Sequence, residues 1–290
     1  MPESVHAIRT LDLTVAGRRV PTPCEVIGEG ADALLLPALS SISSRQEMLP
    51  LARELSAEYR CHVPDWPGFG AQERVRVPLE PASFHAFLDA LIAAAPGPYA
   101  LGVAAGHAAP YLAAAARRHP GMFARLVLVA PTWRGPLPTA MGPERARWFG
   151  RIRRAVEAPV VGEALYRINI SAPVIGRMMR AHVYAEPGHV TAAVIGAKHR
   201  ITRQRGGRFG TAAFVTGGLD PVGSRAAFLD LFREGLPPVR VLRPAGAPRR
   251  SGAEMDALLA GGRVAGAGIP GALSPHEEYP AEVAAAIRAA

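Results

Sequence analysis

Six short apolar runs, each bounded by turn-forming residues and separated by stretches with helical spacing, constrain this chain's fold more than any other feature. They lie at 33–38, 61–65, 99–104, 126–130, 239–243 and 264–269. Continuous apolar strands alternating with helices are the pattern of a mostly parallel sheet covered on both faces. Two earlier segments, 8–15 and 19–27, are joined across Ala16-Gly17 and read as a leading antiparallel pair. The expected sheet therefore has eight strands. Helical spacing fills 45–59, 81–95, 107–119, 251–259 and 280–289, and the alanine-rich stretch 111–116 suits a helix buried behind a central strand.

After Pro131 the pattern changes. Residues 134–210 hold several helices punctuated by proline and glycine and no strand of the main series. The expected division is a core domain over 1–133, a helical cap over 134–210 inserted after the sixth strand, and the remainder of the core over 211–290. A length of 290 residues suits one α/β domain with such an insert. Within the cap, Trp148, Phe149, Ile152 and Val156 share one helical face while Arg147, Arg151 and Arg154 line the rest. That stripe is read as a lid over a pocket mouth, so contact with a membrane is not expected.

Charge and composition narrow the function classes. The formal charge of +9 is carried almost wholly by arginine, Lys198 being the only lysine. No basic run is interleaved with aromatic residues, which argues against nucleic acid as partner. The opening MPESVHAIRT lacks a basic region followed by an apolar stretch, and no apolar run approaches the ~18 residues of a membrane span. A cytoplasmic, reduced protein is expected. Cys24 and Cys61 stand far apart; His182 and His189 are seven residues apart, and His199 stands alone. No metal site is expected from such spacings, and no cofactor is expected either, since no glycine-rich nucleotide loop follows a strand. The remaining partner is a small-molecule ligand or substrate, and the oligomeric state is left open.

Three motifs carry a resemblance. The segment HVPDWPGFG, with Asp65 to Gly70, resembles a D-x-P-G-x-G turn after a fourth strand; LVLVAP resembles a sixth strand; LGVAAGHAA stands where a G-x-S-x-G strand-turn-helix belongs. Over most of its length the chain thus resembles the α/β-hydrolase superfamily. More narrowly, LLPALSSISSR, VAAGHAA, APTWRGPLPTAMG and HEEYP resemble a hydrolase-like bacterial subgroup with alanine in the elbow. The resemblance implies an eight-stranded, mostly parallel α/β-hydrolase sheet flanked by helices, with a helical cap after the sixth strand and no cofactor.

The same resemblance places the machinery. The Gly102–Gly106 spacing puts Ala104 at the nucleophile position, and a methyl group cannot attack a carbonyl. The oxyanion donors would be the N–H groups of Ala105 and Leu39, with Ser40 and Ser41 either adding hydroxyls or serving as turn residues. Asp220, in FVTGGLDPV, resembles an acid after the seventh strand, but two strand-like runs follow it. The seventh strand is therefore set at 239–243, where Ala247-Pro248 replaces the acid step. The base should follow the last glycine, yet Ala272 follows Gly271 and His276 comes later. Candidates for acid–base work are His107 and His276. His107 lies at a helix start, where the dipole favours the neutral ring, or it fills space and bonds a carbonyl. Trp66 and Trp133, both after strand ends, line a pocket or pack the core. Three functions stay open: a non-serine acid–base enzyme acting on a small, largely apolar molecule (a lyase, isomerase or atypical hydrolase), a degenerate binding or scaffold protein, and a serine hydrolase altered to alanine at Ala104.

Overall fold

The computed structural model describes residues 6–70, 77–142 and 145–289. Eight strands form one sheet: β1 (His6–Val15), β2 (Arg18–Ile27), β3 (Ala31–Leu36), β4 (Tyr59–Pro64), β5 (Leu101–Ala105), β6 (Leu126–Val129), β7 (Val239–Pro244) and β8 (Ala265–Ile269). Their spatial order is β1-β2-β4-β3-β5-β6-β7-β8. β1 pairs antiparallel with β2, β2 antiparallel with β4, and every other pair is parallel. The eight expected strands are all present, and the seventh is 239–244, so Asp220 precedes it.

Strand alternation sorts the apolar residues into two layers. Leu34, Leu36, Ala104, Leu126, Leu128 and Val241 pack with Phe84, Phe87 and Tyr111 on one face. Leu35, Val103, Ala105, Val127 and Leu242 pack with Leu51, Leu55 and Ile287 on the other. The first face is covered by α2 (Pro81–Ala93) and α3 (Ala109–Arg118), the second by α1 (Leu49–Leu55) and a C-terminal helix described below.

Between β6 and β7 lie α4 (Pro136–Met141), α5 (Ala146–Glu157), α6 (Val161–Asn169), α7 (Ala172–Met178), α8 (Ala192–Thr202), α9 (Gly207–Val215) and α10 (Arg225–Asp230). Helix thus runs past 210, with no described strand before Val239. A small cluster of Ile42, Tyr166, Ile170, Ile175, Met179, Tyr184 and Val190 holds part of this insert together and to the loop after β3. The α5 stripe is split: Phe149 is buried, whereas Trp148 is 47% and Ile152 36% exposed. The chain closes with α11 (Arg249–Ala260), α12 (Pro275–Glu278) and α13 (Pro280–Arg288).

The turn after β4 is pinned by charge. Asp65, wholly buried, accepts from the Arg45 backbone N–H at 2.7 Å and pairs with the Arg45 guanidinium, which also donates to Glu25 at 2.9 Å. Gly70 has φ +81, and a Cβ there would overlap the Asp65 carboxylate. Gly70→Ala is expected to destabilise by about 2–4 kcal/mol, from left-handed strain plus displacement of that carboxylate. A shift of the urea midpoint at constant slope would show it; an unchanged midpoint would count against this role.

Candidate functional site

The strand-to-helix turn expected at Ala104 falls two residues later. Ala104 is a strand residue, pairing with Leu36 and Leu128 and facing the α2/α3 layer. β5 continues to Ala105, and the left-handed residue that turns the chain is Gly106, φ +51. Gly102, which set the expected spacing, has a different task. A Cβ there would come within 2.9 Å of Leu126 and Phe123, so it is a thin strand position against close neighbours. The apex therefore has no side chain at all. A Cβ built at Gly106 would lie 3.4 Å from Ala38 and 3.9 Å from Thr132 Oγ1, so space exists above it.

This shift moves the residue after the apex from Ala105 to His107, the second residue of the helical turn Gly106–Ala108. First-turn N–H groups have no partner within their own helix, so the elbow's backbone donor belongs to His107, and Ala105 is a buried strand residue instead. The His107 ring is 2% exposed, and its Nε2 donates to Leu219 O at 3.0 Å while standing 3.4 Å from Asp220 Oδ1. A carbonyl only accepts, so Nε2 carries the proton and Nδ1 is the bare nitrogen. No described residue bonds Nδ1. Burial pushes the His107 pKa down to about 4, against the partial support of the Leu219 carbonyl.

Asp220 sits in the same place for a related reason. Burial pushes its carboxyl up to about 7, although the Gly135 N–H donates to it at 2.8 Å and Arg134 is near. Leu219 O also accepts from the Tyr111 hydroxyl at 2.8 Å. The 217–220 segment leaving the insert is thus clamped onto the elbow helix. Nearby, Thr132 N–H donates to Gly106 O at 3.1 Å, and Ala130 holds a left-handed φ of +47, a strained state for a residue with a Cβ.

A second polar cluster gathers around Glu47 and Glu277. The N–H of Ala38 donates to Glu47 Oε1 at 2.7 Å, one residue before the donor expected at Leu39. Lys198, from α8 of the insert, reaches Glu277 Oε2 at 2.9 Å and Glu47 Oε2 at 3.7 Å, and the Tyr184 hydroxyl donates to Glu277 at 2.7 Å. His276 is completely buried; its Nε2 stands 3.5 Å from Glu47 Oε1 in a contact that does not meet hydrogen-bond geometry. Burial works against the Lys198 charge, but Glu277 and Glu47 outweigh it and hold its pKa above the usual lysine value. Glu277 is held below the usual carboxylate value, burial being overcome by Lys198 and the Tyr184 hydroxyl.

The remaining named residues pack or bond within the fold. Leu39 is fully buried in the core. Ser40 Oγ pairs with Ser43 Oγ at 2.7 Å, a bond within the turn before Arg45. Trp66 donates to Pro37 O at 2.8 Å and packs on Phe84, Phe87 and Tyr111; Trp133 donates to Glu254 at 3.1 Å and stacks on Phe228. Neither borders the large cleft. After β7, Ala247 holds no carboxylate, and after β8 Gly271 is followed by Ala272 and Leu273. The Leu273 and Ser274 N–H groups both donate to Val183 O at 3.0 Å, so this segment is latched beneath the insert.

The large cleft, of about 1000 Å³, opens between the Gly68 turn and helices α5, α6 and the α8–α9 connection. None of the residues expected at the site lines it, and its wall is rich in arginine rather than largely apolar. The residues missed by sequence reasoning are Glu47, Lys198, Glu277 and Tyr184. The uniqueness of Lys198 was the one available signal, a lone lysine in an arginine-rich chain.

An alpha/beta hydrolase family profile matches residues 33–286. Among solved structures, Cfl2 of Burkholderia cenocepacia is similar at 19% identity and TM-score 0.73, covering 98% of this chain and 94% of that one. A thermophilic esterase of Thermogutta terrifontis is similar at 21% identity and TM-score 0.71, covering 98% and 97%. The haloalkane dehalogenase DatA of Agrobacterium tumefaciens is similar at 15% identity and TM-score 0.68, covering 98% and 96%. No curated protein matches the chain. At these identities the structural likeness speaks for the fold, and the family follows from the profile match. The chain belongs to the alpha/beta hydrolase family.

Proposed function

We propose that this chain is a ligand-binding member of its family that carries out no acyl-enzyme chemistry, with residues 134–210 forming the greater part of a cap over its ligand. The observation that carries the reading is Gly106: the apex that should present a nucleophile has no side chain. Two others agree with it. Ala247 and Ala272 stand where an acid and a base would be needed, and His107 gives its ring N–H to a main-chain carbonyl rather than to a reacting partner. The subgroup resemblance with its altered elbow fits this reading, whereas a serine replaced at position 104 does not, because position 104 is inside β5.

A second reading has its own support. Asp220, with a carboxyl near neutrality, lies against the neutral His107, and such pairs serve proton transfer when substrate reaches them. The two readings separate in one experiment. The purified chain is incubated with a mixture of short-chain esters, carboxylates and phosphate monoesters, then examined by native mass spectrometry, and the unbound mixture is analysed. Non-covalent adducts with an unaltered mixture are expected. A consumed compound whose loss is abolished by Asp220→Asn would replace the binding reading with the acid–base one.

A further inference from the structure

We infer that the cleft between the Gly68 turn and the cap helices binds a small amphiphile through an anionic head, a phosphate or carboxylate. The inference rests on the binding reading above and names the chemistry of the ligand. Among the described residues, the cleft wall carries five arginines, Arg153, Arg167, Arg203, Arg205 and Arg208, against two carboxylates, Glu157 and Glu163. Both carboxylates are engaged. Glu157 takes Arg153 at 2.8 Å; Glu163 takes Arg167 at 2.9 Å and Arg208 at 3.3 Å. No described carboxylate pairs with Arg203 or Arg205, which stand together on the α8–α9 connection, both exposed.

Two arginines two residues apart on one concave wall, neither held by a described carboxylate, attract an anion more strongly than scattered surface arginines do. The low-dielectric walls focus their field, and each planar fork offers paired donors to phosphate or carboxylate oxygens. The α9 helix begins at the same place with Gly206 (φ +80) at its N-cap and no side-chain cap, so its positive end adds to that field. The rest of the wall is of another kind. Val77, Leu79, Ile170 and the buried Tyr166 ring supply apolar surface to the same cleft. At about 1000 Å³ the cleft is of small-molecule size, too small for a nucleic-acid duplex or a protein domain. A charged head against Arg203 and Arg205 with an apolar tail on Val77, Leu79 and Ile170 satisfies both kinds of wall.

Isothermal titration with hexyl phosphate, octanoate and hexanol, at low and at high salt, tests the inference. Both anions should bind saturably at one per chain and weaken with salt, the phosphate more steeply, while hexanol should show no saturable binding. The Arg203→Gln/Arg205→Gln double variant should lose at least about tenfold in anion affinity. Its thermal melt should match the parent, since both side chains are exposed, and Arg233→Gln, remote from the cleft, should bind as the parent does. Equal affinity for hexanol, an unweakened double variant, or no saturable anion binding would each overturn the proposal. The titration is independent of covalent chemistry, so a reactive nucleophile found elsewhere would remove the binding reading while leaving the anion site standing.

Discussion

Replacing Lys198 by methionine is expected to lower stability by about 3–5 kcal/mol, with a melting temperature lower by roughly 10 °C. Lys198 is the single ammonium between Glu47 and Glu277, and its side chain is 6% exposed. Methionine fills similar volume but leaves two buried carboxylates with the Ala38 N–H, the Tyr184 hydroxyl and the edge of His276 as their remaining partners among the described residues. Removing one member of a buried ion cluster exposes the full desolvation penalty of the others. A Lys198→Met/Glu277→Gln pair should recover part of the loss, because it leaves one uncompensated carboxylate instead of two. Equilibrium urea unfolding checks this; a loss under about 1 kcal/mol would mean that water, rather than Lys198, compensates these charges.

Asp220→Asn should change stability in a way that depends on pH. The Asp220 carboxyl is raised in the folded chain to about 7 from 3.8, chiefly by burial. A carboxyl whose folded value lies above its unfolded value contributes stability that is present below about 3.8 and lost as pH rises through about 7. Asparagine keeps the acceptor for the Gly135 N–H and does not titrate. The variant should therefore gain on the parent by on the order of 4 kcal/mol between acid and about pH 8. His107, depressed to about 4, acts on the opposite flank: its contribution is present above 6.5 and lost as pH falls through about 4. Because His107 is in both proteins, it largely cancels in the comparison, and burial pushes the Tyr111 hydroxyl further above this range. Denaturation curves at about pH 5 and about pH 8 decide the matter. A difference that does not grow with pH would place Asp220 in solvent-like surroundings.

The sheet was legible because its evidence is local and periodic. Runs such as 239–243 are apolar on both faces, and counting them correctly moved Asp220 off the seventh strand. The turn falls two residues after the position that the glycine spacing predicts, and the reason is physical. Gly102 and Gly106 bracket Ala104 with the spacing of a strand-turn-helix motif, but the two glycines answer different demands. Gly102 makes room for Phe123 and Leu126, while Gly106 takes the left-handed turn. Sequence spacing does not distinguish a close approach from a positive φ. The Glu47–Lys198–Glu277 cluster was invisible for a different reason: its members are 151 and 79 residues apart and meet only after the insert folds over α12. The tryptophans show the limit from the other side, since an aromatic after a strand end looks the same in sequence whether it lines a cavity or, as Trp66 does, packs on three other rings.

The central claim is that the elbow of this hydrolase-fold chain holds no nucleophile. Intact-mass analysis after exposure of the wild-type protein to a fluorophosphonate probe, alongside Gly106→Ser, tests it most directly. The wild type should gain no mass. Gly106→Ser should also stay unlabelled, because a lone serine without the acid after β7 and the base after β8 is not activated. A stoichiometric phosphonyl adduct on the wild-type chain would contradict the account.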